Sequence, residues 1–225
     1  MALQILAWRI VANGGNRGNS VVGEIRIYVE GGGDSKDSKA AVRQGFRLFF
    51  DQLVEKARNR RIRWQIIACG GRNQTYDSFE TALRTNPAAF NMLLVDSEGE
   101  VNDECRIHLR TRDGWRLNTA FEEQCHLMVQ MMEAWVIADT EALEQFYGQG
   151  FNVGSIPGNA NVEQIQKADI QRALDNATRS TKAKAYRKIP HGPKILAILD
   201  VARVRRAAPH CDRLFETIDL KIEEP

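Results

Sequence analysis

Apolar spacing along the first hundred residues predicts strands and helices in strict alternation. Residues 25–29 alternate apolar and polar positions, as a strand with one covered face does. Gly31-Gly32-Gly33 then permits a sharp turn. Residues 35–58 carry helical spacing (Val42, Phe46, Phe49, Phe50, Leu53, Val54, Ala57), with Ser35 or Asp37 placed to cap the start. A second strand is predicted over 62–69, ending at Gly70-Gly71, and a second helix over 74–85, stopped near Pro87. Residues 90–95 form a continuous apolar run, the texture of a parallel strand covered on both faces. Strand-helix-strand-helix-strand predicts an α/β fold with right-handed crossovers between parallel strands.

Beyond Asp96 the texture changes. Residues 102–118 are polar and predict a short hairpin or loop around Asp113-Gly114. Phe121, Cys125, Met128, Met132 and Trp135 recur at spacings of four and three, which predicts one helix over 121–138. A short helix follows over 141–147, then a glycine-rich loop over 150–161. Further helical segments are expected over 162–176, 193–206 and 212–217. The expected organisation is a leader over 1–22, an α/β core over 23–120 and a helical C-terminal portion over 121–225. The leader, polar and glycine-rich after a short apolar patch, lacks the basic start and long apolar core of a signal peptide.

Length and composition suit this picture. A chain of 225 residues, 43% hydrophobic and 27% charged, is that of an ordinary globular domain with an appended lobe. No apolar stretch approaches membrane-spanning length, and no membrane partner is expected. Four scattered cysteines offer neither close-paired zinc spacing nor a disulfide framework, and reduced thiols in a cytoplasmic protein account for them. Net charge is only +2, but residues 170–225 hold twelve Lys/Arg against seven Asp/Glu, and basic clusters occur at 58–63 and 106–116. Each cluster is either a solvated face or part of a surface for a polyanion.

The candidate chemistry lies at two strand ends. The first strand stops at Glu30, with Asp34 beyond the glycines, and the third stops at Asp96-Ser97-Glu98. Open α/β sheets bind ligands beyond the carboxyl ends of their strands. Four acids meeting at one edge repel one another unless a cation lies between them. Hard divalent cations such as Mg2+ or Mn2+ take such oxygen donors. Ser97 either ligates a metal or fills the turn. The glycines are not followed by the Lys-Ser or Lys-Thr of an ATP-binding P-loop.

Val29-Glu30-Gly31 after a first strand and Asp96-Ser97-Glu98 after a third resemble the Toprim motif of topoisomerases, primases and overcoming-lysogenization-defect nucleases. That motif carries an aspartate where this chain has Glu98. A wider resemblance adds Met132-Glu133-Ala134-Trp135-Val136-Ile137-Ala138-Asp139 and Tyr186-Arg187-Lys188-Ile189-Pro190-His191-Gly192-Pro193-Lys194. These segments are similar to the family catalogued as domain of unknown function 4276, regarded as Toprim-like and often encoded beside ATPases in bacterial anti-phage systems. The resemblance implies a Rossmann-like Toprim sheet and a Mg2+- or Mn2+-dependent nuclease acting on DNA or RNA, working with an ATPase partner. Homo-oligomerisation is compatible with it. Glu30, Asp96 and Glu98 are then metal-binding or acid/base residues, Asp34 a second-metal ligand, and Lys188 the residue on the phosphate. Lys188, His191 and Lys194 together form a cationic group for nucleic acid, or else only a basic approach to a helix whose start Pro190 and Pro193 set. Glu133 is either solvated at a helix flank or turned inward to a cation, and in the second case it completes a second metal site with Asp34. Asp139 is expected to cap the next short helix. Two rival functions fit the same acids: phosphoryl transfer on small phosphate esters, and a non-catalytic nucleic-acid-binding or regulatory subunit of an ATPase complex.

Overall fold

A computed structural model of the chain describes residues 22–224; the expected leader lies outside them except for Val22, which packs against the core. The fold is α/β. Four parallel strands, β1 (Glu24–Glu30), β2 (Arg63–Gly70), β3 (Phe90–Asp96) and β4 (Cys125–Met128), stand in the order β2-β1-β3-β4. The arrangement is Rossmann-like, with a helical C-terminal part.

Side chains alternate across the sheet as strand geometry requires. Ile25, Ile27, Val29, Met92 and Leu94 face one core, shared with α1 (Lys36–Phe49), α2 (Asp51–Asn59) and the C-terminal helices. Tyr28, Leu93, Val95 and Leu127 face a smaller core under α3 (Arg72–Thr85) and α4 (Cys105–Asp113). The larger core centres on aromatic rings: Phe49 stacks on Trp135 at 5.3 Å and meets Phe215 edge-on at 5.5 Å. Ser35 is the cap of α1, accepting the Ser38 amide at 3.0 Å. The helix expected over 35–58 is divided at Phe50, whose fully buried ring touches Phe46, Phe49, Trp64 and Phe215.

The segment expected as one helix over 193–206 likewise breaks between Leu196 and Val201, and two larger expectations are overturned. Residues 121–138 do not form one helix; they form a 3-10 turn (Thr119–Gln124), strand β4 and the short helix α5 (Met132–Ile137). Cys125, Leu127 and Val129 enter the smaller core and Met128 the larger. A strand buried on both faces carries no clear period of two, and the chance spacing of its apolar residues imitated a helix. The polar stretch expected as a hairpin or loop instead contains α4, stopped by Gly114 in the left-handed conformation (φ 75°). Its buried face is only Cys105 and Leu109, one turn apart, which left little periodic signal.

Further helices are α6 (Thr140–Tyr147), α7 (Lys167–Thr178), α8 (Lys188–Leu196), α9 (Val201–Ala207) and α10 (Pro209–Glu223). Asp139 caps α6, as expected, by accepting the Ala142 amide. Helix α8 lies directly on α1 because Gly45 lets the backbones touch: a Cβ there would stand 2.5 Å from the Pro193 carbonyl oxygen. Gly45→Ala should therefore lower the urea midpoint, by about 1–3 kcal/mol of unfolding free energy for an overpacked contact. An unchanged midpoint would mean that α1 and α8 separate without cost.

Candidate metal centre and its charge network

In a sheet of this order, the connection from β1 runs to one side and that from β3 to the other. The crevice at this switch point is where open α/β sheets bind ligands. Glu30 ends β1 and Asp96 ends β3. Three successive glycines with positive φ (131°, 88° and 52°) turn the chain away from Glu30, and Gly31 is bridged to Gly70 at the tip of β2. Gly32 has no alternative residue, since a Cβ would lie 2.9 Å from Lys39 Cα. After β3, the Ser97 and Glu98 amides bond to the carbonyls of Met128 and Gln130, and Glu98 takes a left-handed conformation (φ 66°). Carboxylate oxygens of Glu30, Asp96 and Glu98 thereby lie within 4.8 Å of one another.

Asp96 is almost fully buried (1% exposed). Its Oδ1 accepts the Met132 amide at 2.8 Å and its Oδ2 accepts Lys188 Nζ, also at 2.8 Å. Lys188 enters from the start of α8; its stem is nearly half exposed, but its ammonium group lies between Asp96 and Glu133, 3.6 Å from Glu133 Oε2. These acids raise its pKa against the opposing effect of burial. Glu133 is turned inward to the cation. Its Oε1 accepts the Tyr186 hydroxyl at 2.9 Å, while the buried Oε2 has no hydrogen-bond partner among the described residues. Burial raises the Glu133 pKa and Lys188 only partly offsets it.

Two further cations complete the network, and both escaped the sequence reading. Arg72, at the start of α3, grips both oxygens of Asp113 (2.9 and 2.7 Å) and reaches Glu30 Oε2 at 3.1 Å. Its guanidinium lies 5.0 Å from the centre of the Trp115 ring, which stacks on Tyr76. Its place directly after the Gly70-Gly71 that ends β2 was the available signal. Lys167, first residue of α7, pairs with Glu98; nothing local in sequence marks it. The acids respond in opposite directions. Burial, reinforced by Asp96, raises the Glu30 pKa despite Arg72. For Glu98 burial acts upward, but Lys167, Arg112 and Arg72 outweigh it and the pKa falls.

Other expected residues stand elsewhere. Asp34 is exposed, and both it and Glu133, the expected second-metal pair, lie outside the group of converging carboxylates. His191 is buried among the helices, its Nδ1 bonded to the Tyr147 hydroxyl at 2.9 Å, so it does not join Lys188 as a surface cation. Lys194 is exposed on the last turn of α8. Ser97 Oγ donates to the Gly99 carbonyl, which makes it a turn residue. Beside the acids lies a cleft of about 190 Å³, walled by the glycine loop and by Val42, Phe46, Met132 and Ile189.

Residues 29–219 match the sequence model of the family described as Domain of unknown function (DUF4276). The chain belongs to this family. No curated protein and no solved structure matches it. No helix among the described residues is long and apolar enough to cross a membrane.

The donor set fits a hard divalent cation: carboxylate oxygens alone, converging from rigid strand ends, with an unsatisfied oxygen of Glu133 on the far side of Lys188. In chelator, the opposite pKa shifts give opposite pH dependence. Glu30 ionises less readily folded than unfolded, so its contribution is greatest below the ordinary value of 4.5 and is lost as pH rises through the folded pKa. Glu98 contributes above 4.5, and that contribution is lost as pH falls through its lower folded pKa. At pH 7.5, Glu30→Gln should raise the urea midpoint and Glu98→Gln should lower it. Both differences should shrink towards pH 4, and the same sign for both variants at pH 7.5 would contradict the network.

Proposed function

We propose that this protein is a divalent-metal-dependent nuclease of Toprim type that hydrolyses phosphodiester bonds in DNA or RNA. The observation that carries this reading is the convergence of Glu30, Asp96 and Glu98 at the switch point of the sheet, with Lys188 among them. Glu30, Asp96 and Glu98 would hold the cation. When bound, Mg2+ or Mn2+ supplies charge stabilisation at the phosphate and a water of lowered pKa. The chain's own groups do the remainder. Lys188 offers a positive charge to a phosphate oxygen at the mouth of the cleft, where such stabilisation is strongest out of bulk water. Arg72 holds Glu30 through Oε2 alone, leaving Oε1 for a cation or for a proton from water. Tyr186 and Met132 fix Glu133 and Asp96, so the acids need little rearrangement. A role in anti-phage defence beside an ATPase rests on the family resemblance alone.

One observation favours a second reading. Each acid already has a cationic neighbour, Arg72, Lys188 or Lys167, and such a network could serve a non-catalytic subunit without metal. Metal binding separates the two. Mn2+ at about a hundred times its Kd should stabilise the protein by about 2.7 kcal/mol. This is a rise of about 5–10 °C in Tm, and Asp96→Asn should lose it. Purified protein with Mg2+ or Mn2+ should cleave plasmid DNA or total RNA. Asp96→Ala should abolish this activity, and Lys188→Ala should reduce it by about 10²–10³-fold. Cleavage that survives chelator, or persists unchanged in Asp96→Ala, would reject the site.

A further inference from the structure

A second concavity, of about 830 Å³, lies on the outer side of β2, the edge strand of the sheet. Arg43 and Arg47 of α1, Arg58 of α2, and Arg61 and Arg63 before and on β2 line it, with no acidic residue among the described residues of its wall. Among the described residues, Arg43, Arg47, Arg58 and Arg61 take part in no salt bridge. Arg63 approaches Glu24 only at 3.5 Å and keeps a mostly exposed side chain. Five arginines facing one hollow repel one another, and nothing in its wall offsets them.

The charge continues towards the cleft. Lys36, Lys39, Arg43 and Arg47 are spaced by three, four and four residues, which puts them on one face of α1. Lys39 packs against Gly32 and Gly70, and both glycines line the cleft beside Glu30. From Lys36 to Arg47 this stripe covers about 16 Å of helix, room for several successive phosphates at about 3.4 Å per nucleotide of a stacked strand. A mononucleotide has no use for such a length.

We infer that the Arg43–Arg47–Arg58–Arg61–Arg63 groove and the α1 stripe form a track for the phosphodiester backbone of a nucleic-acid strand, guiding it to the glycine-bounded cleft. Its role as substrate guide rests on the proposed nuclease; backbone binding does not. Guanidinium groups suit this task because their planar forks pair with phosphate oxygens two at a time. Trp64 lines the groove wall half-buried beside Phe50, a single aromatic surface among five arginines, so recognition rests mainly on backbone charge and carries little sequence preference.

The test is fluorescence anisotropy of labelled 20-nucleotide DNA, RNA and duplex DNA with the full-length protein in EDTA, over a range of salt. Wild type should bind at low salt, and Arg43→Gln/Arg47→Gln/Arg58→Gln should bind about tenfold or more weakly. The slope of log affinity against log salt should fall by about 0.7 for each arginine removed. Arg43→Lys/Arg47→Lys/Arg58→Lys, which keeps the charge, should retain most of the binding and excludes misfolding as the cause. The strand and duplex arms say which form of the backbone the track accepts. Equal binding by wild type and the Gln variant overturns the inference, as does no binding at 50 mM salt. So does arginine-dependent binding of poly-glutamate in preference to every nucleic acid, which would make the groove a dock for an acidic protein. Arginine-dependent nucleic-acid binding without metal-dependent cleavage would keep the track and remove the nuclease.

Discussion

The structure turns on the buried carboxylate of Asp96. Removing an ionised carboxylate from water costs several kcal/mol, and only close hydrogen bonds and an opposite charge offset that cost. Asp96 obtains one bond from the first amide of α5 and the other from the ammonium of Lys188. One acid at the tip of β3 therefore fixes where α5 begins and where α8 must start. Helix α8 in turn rests on α1 at Gly45, and α1 starts from the glycine loop that leaves β1. The path closes on itself, and both strand ends that supply the acids are held by helices which those acids position.

The cations around this point set the acids apart. Glu30 and Glu133 are driven towards the protonated form mainly by burial, whereas Glu98 is driven away from it by Lys167. With Asp113 and Arg112 included, five carboxylates face four cations, a net negative centre when all the acids are ionised. Such a centre tolerates a divalent ion if one or more of the ammonium groups swings out. Lys188 is suited to that exchange: its side chain is nearly half exposed, its charge is retained, and a phosphate arriving with the metal would offer it a new partner. Arg72 is not suited, because Asp113 holds one edge of it by two bonds and Trp115 lies against its face.

What the sequence made legible is what is local in it. Strand tips, glycine turns and the acids attached to them sit within a few residues of one another, so Glu30 and Asp96 could be placed before any coordinates. The family resemblance brought Glu133 and Lys188 into view, and the structure joins them at Asp96. Strand β4 was hidden because burial on both faces erased its alternation, and α4 because two apolar residues are too few to establish a period. Lys167 was hidden for a deeper reason: its partnership with Glu98 spans 69 residues and depends on how α7 docks. The left-handed backbone of Glu98, which aims that side chain, has no signature in the residue itself.

The distribution of the site over the chain bears on what kind of unit carries it. The sheet alone supplies Glu30, Asp96 and, just beyond its edge, Glu98. The helical part supplies Glu133 from α5, Lys167 from α7 and Lys188 from α8. The family match, over residues 29–219, encloses all six positions. A sheet edge bearing only the three acids would carry unbalanced like charges in partial burial, and Asp96 would have no cation. The helical part is thus the source of the counter-charge for Asp96 and Glu98, while Arg72 of α3 supplies that of Glu30. Sheet and helices form one electrostatic unit, and whatever chemistry the cleft performs belongs to both.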